Sequence, residues 1–201
     1  MKITILDYGA GNVPSVERAL QRLGAESLRT GSPECISNSE AVLLPGVGHY
    51  SALVRALDEK NLRSPLVEAI HRGVPFLGIC LGLQVLFKSS EEASQLQGLN
   101  LLPGTVSALP PRVKLPHMGW NQVERKRESS LLAGIDAGAY FYFAHSFAAL
   151  DSNGGAAATC SYGSEFAAVI EQKNIFAVQF HPEKSGDSGA RVLHNFLRLA
   201  A

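Results

Sequence analysis

The chain has 201 residues, 46% of them apolar, which suits one compact domain over 1–201 with a substantial core. Its formal net charge of +0 argues against a nucleic-acid or anionic-membrane surface as its partner. No apolar run approaches the roughly 20 residues of a membrane span, and Asp7 interrupts the first one too early for a signal peptide.

Residues 2–7 alternate weakly and read as a first strand. Residues 14–23 carry Val16, Ala19, Leu20 and Leu23 at helical spacing, with Pro14 near the start and Gly24 past the end. A buried-type strand over 41–44 runs into Pro45-Gly46-Val47-Gly48. Helices are expected over 52–57 and 62–71, a strand over 74–79 and an amphipathic helix over 83–87. This alternation predicts a parallel sheet covered on both faces.

After about residue 99 the texture changes. Short β-type runs recur over 99–102, 105–109, 140–144, 156–160, 166–170 and 175–180. Turn signals at Pro103-Gly104, Asn153-Gly154-Gly155 and Lys173-Asn174 separate them. The cluster Glu124-Arg125-Lys126-Arg127-Glu128 reads as a solvated loop, and a helix over 188–199 closes the chain. The expected fold is α/β: a central, mostly parallel mixed sheet flanked by helices, with additional antiparallel strands in the C-terminal half. Three scattered cysteines, Cys35, Cys80 and Cys160, offer neither a zinc spacing nor a disulfide framework, so a reducing, cytoplasmic setting is expected. Asp7-Tyr8-Gly9-Ala10-Gly11-Asn12 imitates a dinucleotide loop but has Pro14 where a glycine is needed, and there is no phosphate loop elsewhere. Neither a cofactor nor a metal is expected.

Gly78-Ile79-Cys80-Leu81-Gly82 is the most informative stretch. It joins a strand to a helix through a turn flanked by glycines, the cysteine form of a nucleophile elbow. A thiol there faces unpaired N–H groups, which favour the reactive thiolate. Such a nucleophile needs a base. Of six histidines, His181 ends an apolar strand and precedes Pro182-Glu183. In an extended run, residues i and i+2 share a side, so Glu183 can orient the imidazole. Cys80, His181 and Glu183 then form nucleophile, base and orienter. The N–H of Leu81 and one from the glycine-rich turn Pro45-Gly46-Val47-Gly48 are candidate oxyanion donors, and Gln84 lies one helical turn beyond Cys80 on the same face. Trp120 reads as core, Glu91-Glu92 as a solvated helix end, and His145 as a satisfied strand histidine without chemistry.

These motifs resemble the class I (triad) glutamine amidotransferases. Asp7-Tyr8-Gly9-Ala10-Gly11-Asn12 and Pro116-His117-Met118-Gly119-Trp120-Asn121 resemble one branch of that family, the glutaminase subunits of imidazole glycerol phosphate synthase in histidine biosynthesis. Leu44 to Gly48, Tyr142 to Ser146 and Gln179 to Lys184 extend the resemblance along nearly the whole chain. It implies a glutamyl thioester on Cys80, acid–base work by His181 held by Glu183, and an oxyanion region at Gly46, Val47 and Leu81. It further implies substrate contacts at Gln84, Glu92, Ser146 and Phe147. A face toward a partner synthase is implied at Asn12, Trp120, Asn121, Tyr142 and Lys184. Phe147 stands where the family often has tyrosine, so a main-chain contact would survive there and a phenol hydrogen bond would not.

Ammonia released in water becomes ammonium and loses its nucleophilicity. The chain shows no ATP site or phosphate cradle, so the acceptor chemistry is expected on another polypeptide. The resemblance implies a cyclase subunit with a (β/α)₈ barrel, in a heterodimer. Three rivals stand beside this reading: the subunit of another ammonia-channelling synthase, a stand-alone cysteine γ-glutamyl hydrolase, and a non-catalytic regulatory module.

Overall fold

The computed structural model describes residues 2–150 and 155–201. The first half alternates strand and helix: β1 (Lys2–Leu6), α1 (Val13–Arg22), β2 (Glu26–Thr30), α2 (Pro33–Ser37), β3 (Ala41–Gly46), α3 (Tyr50–Glu59), α4 (Arg63–His71) and β4 (Phe76–Cys80). A single helical turn, α5 (Leu81–Gln84), leads to β5 (Phe87–Ser90). Strands follow: β6 (Leu102–Ala108), β7 (His117–Gln122), β8 (Glu124–Arg125), β9 (Tyr140–His145), β10 (Phe147–Ala148), β11 (Ala156–Tyr162), β12 (Ser164–Gln172) and β13 (Ile175–Val178). Helix α6 (Gly186–Ala200) ends the chain.

The main sheet has the order β2-β1-β3-β4-β13-β12-β11-β8. From β2 to β13 neighbours run parallel, and β12, β11 and β8 are added antiparallel. β3 and β4 are buried along their whole length, as central strands covered on both faces must be. Alternate side chains divide between two cores. Leu43, Leu77 and Ile79 pack with Val16 and Leu20 of α1 and Phe196 of α6. Val42, Leu44 and Phe76 pack with Leu53 and Leu57 of α3 and Leu66 of α4. The central strands β3, β4 and β13 therefore end side by side at one edge of a rigid layer, where α/β proteins bind ligands.

Several expectations needed correction. The helix placed over 83–87 is instead the one turn α5. Helical continuation would require the Val85 carbonyl for residue 89, but Leu99 N–H takes it at 2.7 Å, and Leu101 and Leu102 N–H take that of Leu86 at 2.9 and 3.0 Å. Pro103-Gly104 does not end a strand. It lies within β6, where a register shift against β5 between Phe87 and Ser89 absorbs it. The 124–128 cluster contributes β8 to the sheet edge, with Lys126 Nζ 3.0 Å from both Glu124 and Glu165. β2 carries the polar sequence of an edge strand and gives no alternating signal. Lys173 does turn the β12–β13 hairpin, at φ 54°. Asn153 and Gly154, the start of another turn signal, lie outside the described residues.

Candidate active site

Cys80 ends β4 at φ 55°, ψ −105°, a conformation that costs on the order of 1–3 kcal/mol for a residue with a side chain. The surrounding backbone holds it there. A Cβ at Gly82 would overlap the Leu44 carbonyl, one at Gly78 would overlap the Gly82 carbonyl, and one at Gly46 would come within 2.5 Å of Leu81 Cβ. The flanking glycines thus let the elbow press against β3, and Cys80 projects from it, 4% exposed.

His181 follows β13, the strand paired with β4, so topology alone brings imidazole and sulfur together. Its backbone is extended, but Pro182–Lys184 then forms a 3₁₀ turn, so Glu183 does not sit on the extended run expected for it. The turn still folds the carboxylate back. Glu183 Oε1 lies 3.0 Å from His181 Nδ1 and accepts from Asn12 Nδ2, also at 3.0 Å. The Ser185 hydroxyl donates to the His181 carbonyl at 2.6 Å and accepts from Tyr142 N–H at 3.0 Å, which pins this turn to β9.

The three side chains are electrostatically matched. Burial opposes charge on His181, but its hydrogen bonds to the Cys80 sulfur and the Glu183 carboxylate outweigh that and raise its pKa to about 9. Burial likewise works against the Glu183 charge, yet His181 and Asn12 hold its carboxyl below the usual range. At neutral pH an imidazolium stands between the sulfur and a buried carboxylate.

They open on a cavity of about 410 Å³, lined by Gly11, Asn12, Val47, Gly48, Cys80, Leu81, Gln84, Glu92, Ala144, His145, Ser146, Phe147, His181 and Lys184. That volume is in the range of small-molecule sites. Leu81 opens α5, so its N–H has no acceptor within the helix. Val47 and Gly48 face the cavity, whereas Gly46 is buried in β3 opposite Cys80 and backs Leu81. Tyr8 Oη donates to the Val47 carbonyl at 3.5 Å, steadying this loop. Glu92 does line the pocket. Its Oε2 accepts from Tyr50 N–H at 2.8 Å, at the start of α3, so it also fixes the end of the 45–48 loop. Gln84 is 2% exposed; its Nε2 donates to the Phe147 carbonyl at 2.8 Å and to Gln179 Oε1 at 3.2 Å, and its Oε1 is buried without a partner among the described residues.

The residues expected at a partner face divide into two groups. Trp120 is 55% exposed on β7, not core, and stacks edge-on with Tyr142 of β9 at 6.1 Å; Lys184 lies over the Tyr142 ring at 5.6 Å. Met118 and Tyr140 extend this exposed apolar surface. Asn12 and Asn121 turn inward instead, Asn12 to Glu183 and Asn121 to the Ser161 carbonyl (3.1 Å) and His117 Nε2 (3.3 Å). His117 Nδ1 lies 3.0 Å from His145 Nε2, and His145 Nδ1 lies 2.9 Å from the Phe147 carbonyl. The carbonyl only accepts, so His145 carries its proton on Nδ1, and His117 then donates from Nδ1 as well. Burial lowers His117 to about 4 and His145 to about 3. Cys160 is a buried core thiol pushed up to about 12 by burial, and it plays no part here. Sequence reasoning missed the inward contact of Asn12, the His117–His145 pair and Gln179. For His145 and Gln179 the signal was a polar residue at the end of an apolar run; for Asn12 there was none.

Residues 4–200 match the family "Glutamine amidotransferase class-I". The chain belongs to the class-I glutamine amidotransferases. It is 47% identical over 197 residues to imidazole glycerol phosphate synthase subunit HisH of Methanothermobacter thermautotrophicus, covering 98% of each chain. It is 49% identical over 198 residues to the subunit of the same name from Moorella thermoacetica, covering 98% of this chain and 94% of that one. A solved structure described as a glutamine amidotransferase superposes with TM-score 0.78 at 20% identity over 98% of both chains. In this amidotransferase the pocket mouth adjoins the exposed aromatic face, because Tyr142 and Ala144 alternate along one side of β9.

Proposed function

We propose that this amidotransferase is the glutamine-hydrolysing subunit of an imidazole glycerol phosphate synthase. The identity to proteins of that name along nearly their full length carries the reading, and the convergence of Cys80, His181 and Glu183 on one pocket supports it. The Cys80 thiolate attacks the side-chain carbonyl carbon of glutamine. Leu81 N–H and an N–H of the Gly46-Val47-Gly48 loop receive the developing oxyanion. His181 gives its proton to the departing nitrogen, which leaves as ammonia, and a glutamyl thioester remains on Cys80. Water, deprotonated by His181, then attacks the thioester; collapse of the intermediate expels the Cys80 thiolate, restores the imidazolium and frees glutamate, whose carboxyl loses its proton to solvent. Gln84, Glu92, Ser146 and Phe147 hold the substrate, and Glu183 with Asn12 keeps the imidazole aimed.

The ammonia serves a partner cyclase, a (β/α)₈ barrel in a cytoplasmic heterodimer with this single-domain chain. That subunit forms imidazole glycerol phosphate and an aminoimidazole carboxamide ribotide. The exposed face of Trp120, Tyr142 and Lys184 beside the pocket mouth is its docking surface. Neither a cofactor nor a metal enters the scheme. The test is Cys80→Ala in the complex: glutamine-dependent synthesis disappears and ammonia-dependent synthesis continues. Retained glutamine turnover would remove Cys80 from its role. The isolated chain is then a poor glutaminase, because the apposition of Gly46-Val47 and Cys80 depends on the loaded partner; full glutaminase turnover by the isolated chain would refute that dependence.

A further inference from the structure

We propose that Gln179 is a further catalytic residue of this glutaminase, its side-chain N–H donating to the Cys80 sulfur to favour the thiolate; the inference rests on the amidotransferase reading above. Gln179 is the first residue past β13 and lies two before His181. It is completely buried, and its backbone N–H is fixed to the Ala168 carbonyl at 3.0 Å. Its Nε2 lies 3.6 Å from Cys80 Sγ, within the range of hydrogen bonds to sulfur.

The direction of this contact follows from a chain of donors that starts at the backbone. The Phe147 carbonyl only accepts, so the Gln84 group 2.8 Å away is its NH₂. The second hydrogen of that NH₂ needs an acceptor, which fixes Gln179 Oε1 at 3.2 Å and turns Gln179 Nε2 toward the sulfur. The reverse orientation would set two NH₂ groups against each other and an oxygen lone pair against the thiolate. Two buried amides thus deliver an N–H to the nucleophile, in a site of low dielectric where a bond to an ionised group is strengthened.

The chemistry of the sulfur makes this donor useful twice. It stabilises the thiolate before attack. It also stabilises the negative charge that returns to sulfur when the thioester's tetrahedral intermediate expels Cys80. His181 changes protonation state during the cycle, whereas an amide N–H stays in place throughout. Gln179 transfers no proton and forms no bond; it acts only on the charge of the sulfur.

The test is alkylation of Cys80 by iodoacetamide in the full chain, followed by peptide mass spectrometry so that Cys35 and Cys160 are read separately. In Gln179→Leu, Cys80 reacts about tenfold more slowly at neutral pH, and the deficit closes at high pH, where every thiol is ionised. In the unmutated chain, the side-chain amide resonance of Gln179 moves across the pH range in which Cys80 reactivity rises. Wild-type rates in Gln179→Leu at every pH, or an amide resonance that stays put, would overturn the proposal. Should Cys80 of the unmutated chain resist alkylation throughout, the glutaminase reading itself fails. If it reacts normally and only the variant shows no deficit, this inference alone fails.

Discussion

Glu183→Gln isolates the charge of the orienting carboxylate from its shape. In the parent chain, Glu183 Oε1 is 3.0 Å from both His181 Nδ1 and Asn12 Nδ2. An amide oxygen can keep both contacts. What disappears is the negative charge, and what is gained is an NH₂ where Oε2 is buried without a partner among the described residues. A charge-assisted bond is about twice as strong as a neutral one, a difference of about 1–1.5 kcal/mol, or about one pKa unit on His181. His181 sits at about 9 in the parent, so the alkaline limb of kcat/KM for glutamine, measured in the complex, should move down by about one pH unit. Stability follows the same sign. A histidine raised in the folded state contributes fully below its unfolded pKa of about 6.5 and loses that contribution as pH rises through about 9. Urea unfolding at pH 6 should therefore show a loss of about 2–4 kcal/mol, the weaker pairing plus one unsatisfied donor. The loss should be smaller at pH 9.5. An alkaline limb at the same pH in both proteins would refute the assignment of Glu183 as a group that, with the Cys80 sulfur, keeps His181 charged.

Four further outcomes follow from the geometry. Both His117 and His145 should show the Nδ1–H tautomer by ¹⁵N NMR and stay neutral well below pH 6, since burial holds them at about 4 and 3; an Nε2–H tautomer on either breaks the relay. Because their folded pKa values are depressed, unfolding takes up protons as pH falls below about 6.5, and stability should drop by about 2 kcal/mol per pH unit between 6 and 4. Gly82→Ala should lower stability by about 3 kcal/mol, because the added methyl overlaps the Leu44 carbonyl; an unchanged denaturation midpoint would show that this approach does not constrain the elbow. Trp120→Ala should weaken the complex by about 2 kcal/mol, or some 30-fold in Kd by calorimetry, while leaving the isolated chain's melting temperature alone, since the ring is 55% exposed.

What could be read from the chain was whatever has a local cause. Glycines 78 and 82 around a cysteine signal a strained turn, and the structure shows the carbonyls that make glycine necessary. The β-α alternation of the first half gave the parallel sheet because periods of 2 and 3.6 are visible in the residues themselves. The length of α5 was not legible. It is limited by Leu99, Leu101 and Leu102, which capture the Val85 and Leu86 carbonyls from well outside any helical reach. Trp120 was misplaced for a related reason: an aromatic on a short strand looks the same whether the strand's other face is covered or bare. The inward turn of Asn12 depends on Glu183, 171 residues later, and no local pattern announces it.

Three buried histidines near one pocket end up in different states, and the difference lies in what each ring faces. His181, His117 and His145 are 2%, 3% and 6% exposed, so burial alone would leave all three neutral. His181 meets a carboxylate and a sulfur, both able to carry negative charge, and is held protonated. His145 meets a carbonyl and another imidazole, which satisfy a neutral ring but cannot compensate a charged one, and the charge on His181 depresses it further. A second cation in that wall would compete with His181 for the thiolate and lower the His181 pKa, depopulating the protonated form that the leaving ammonia requires. The neutral pair therefore does more than fill space. It holds the strand end that carries Ser146 and Phe147 with directional bonds while adding no field of its own, so among the described residues the only buried positive charge beside the sulfur is the one that transfers a proton.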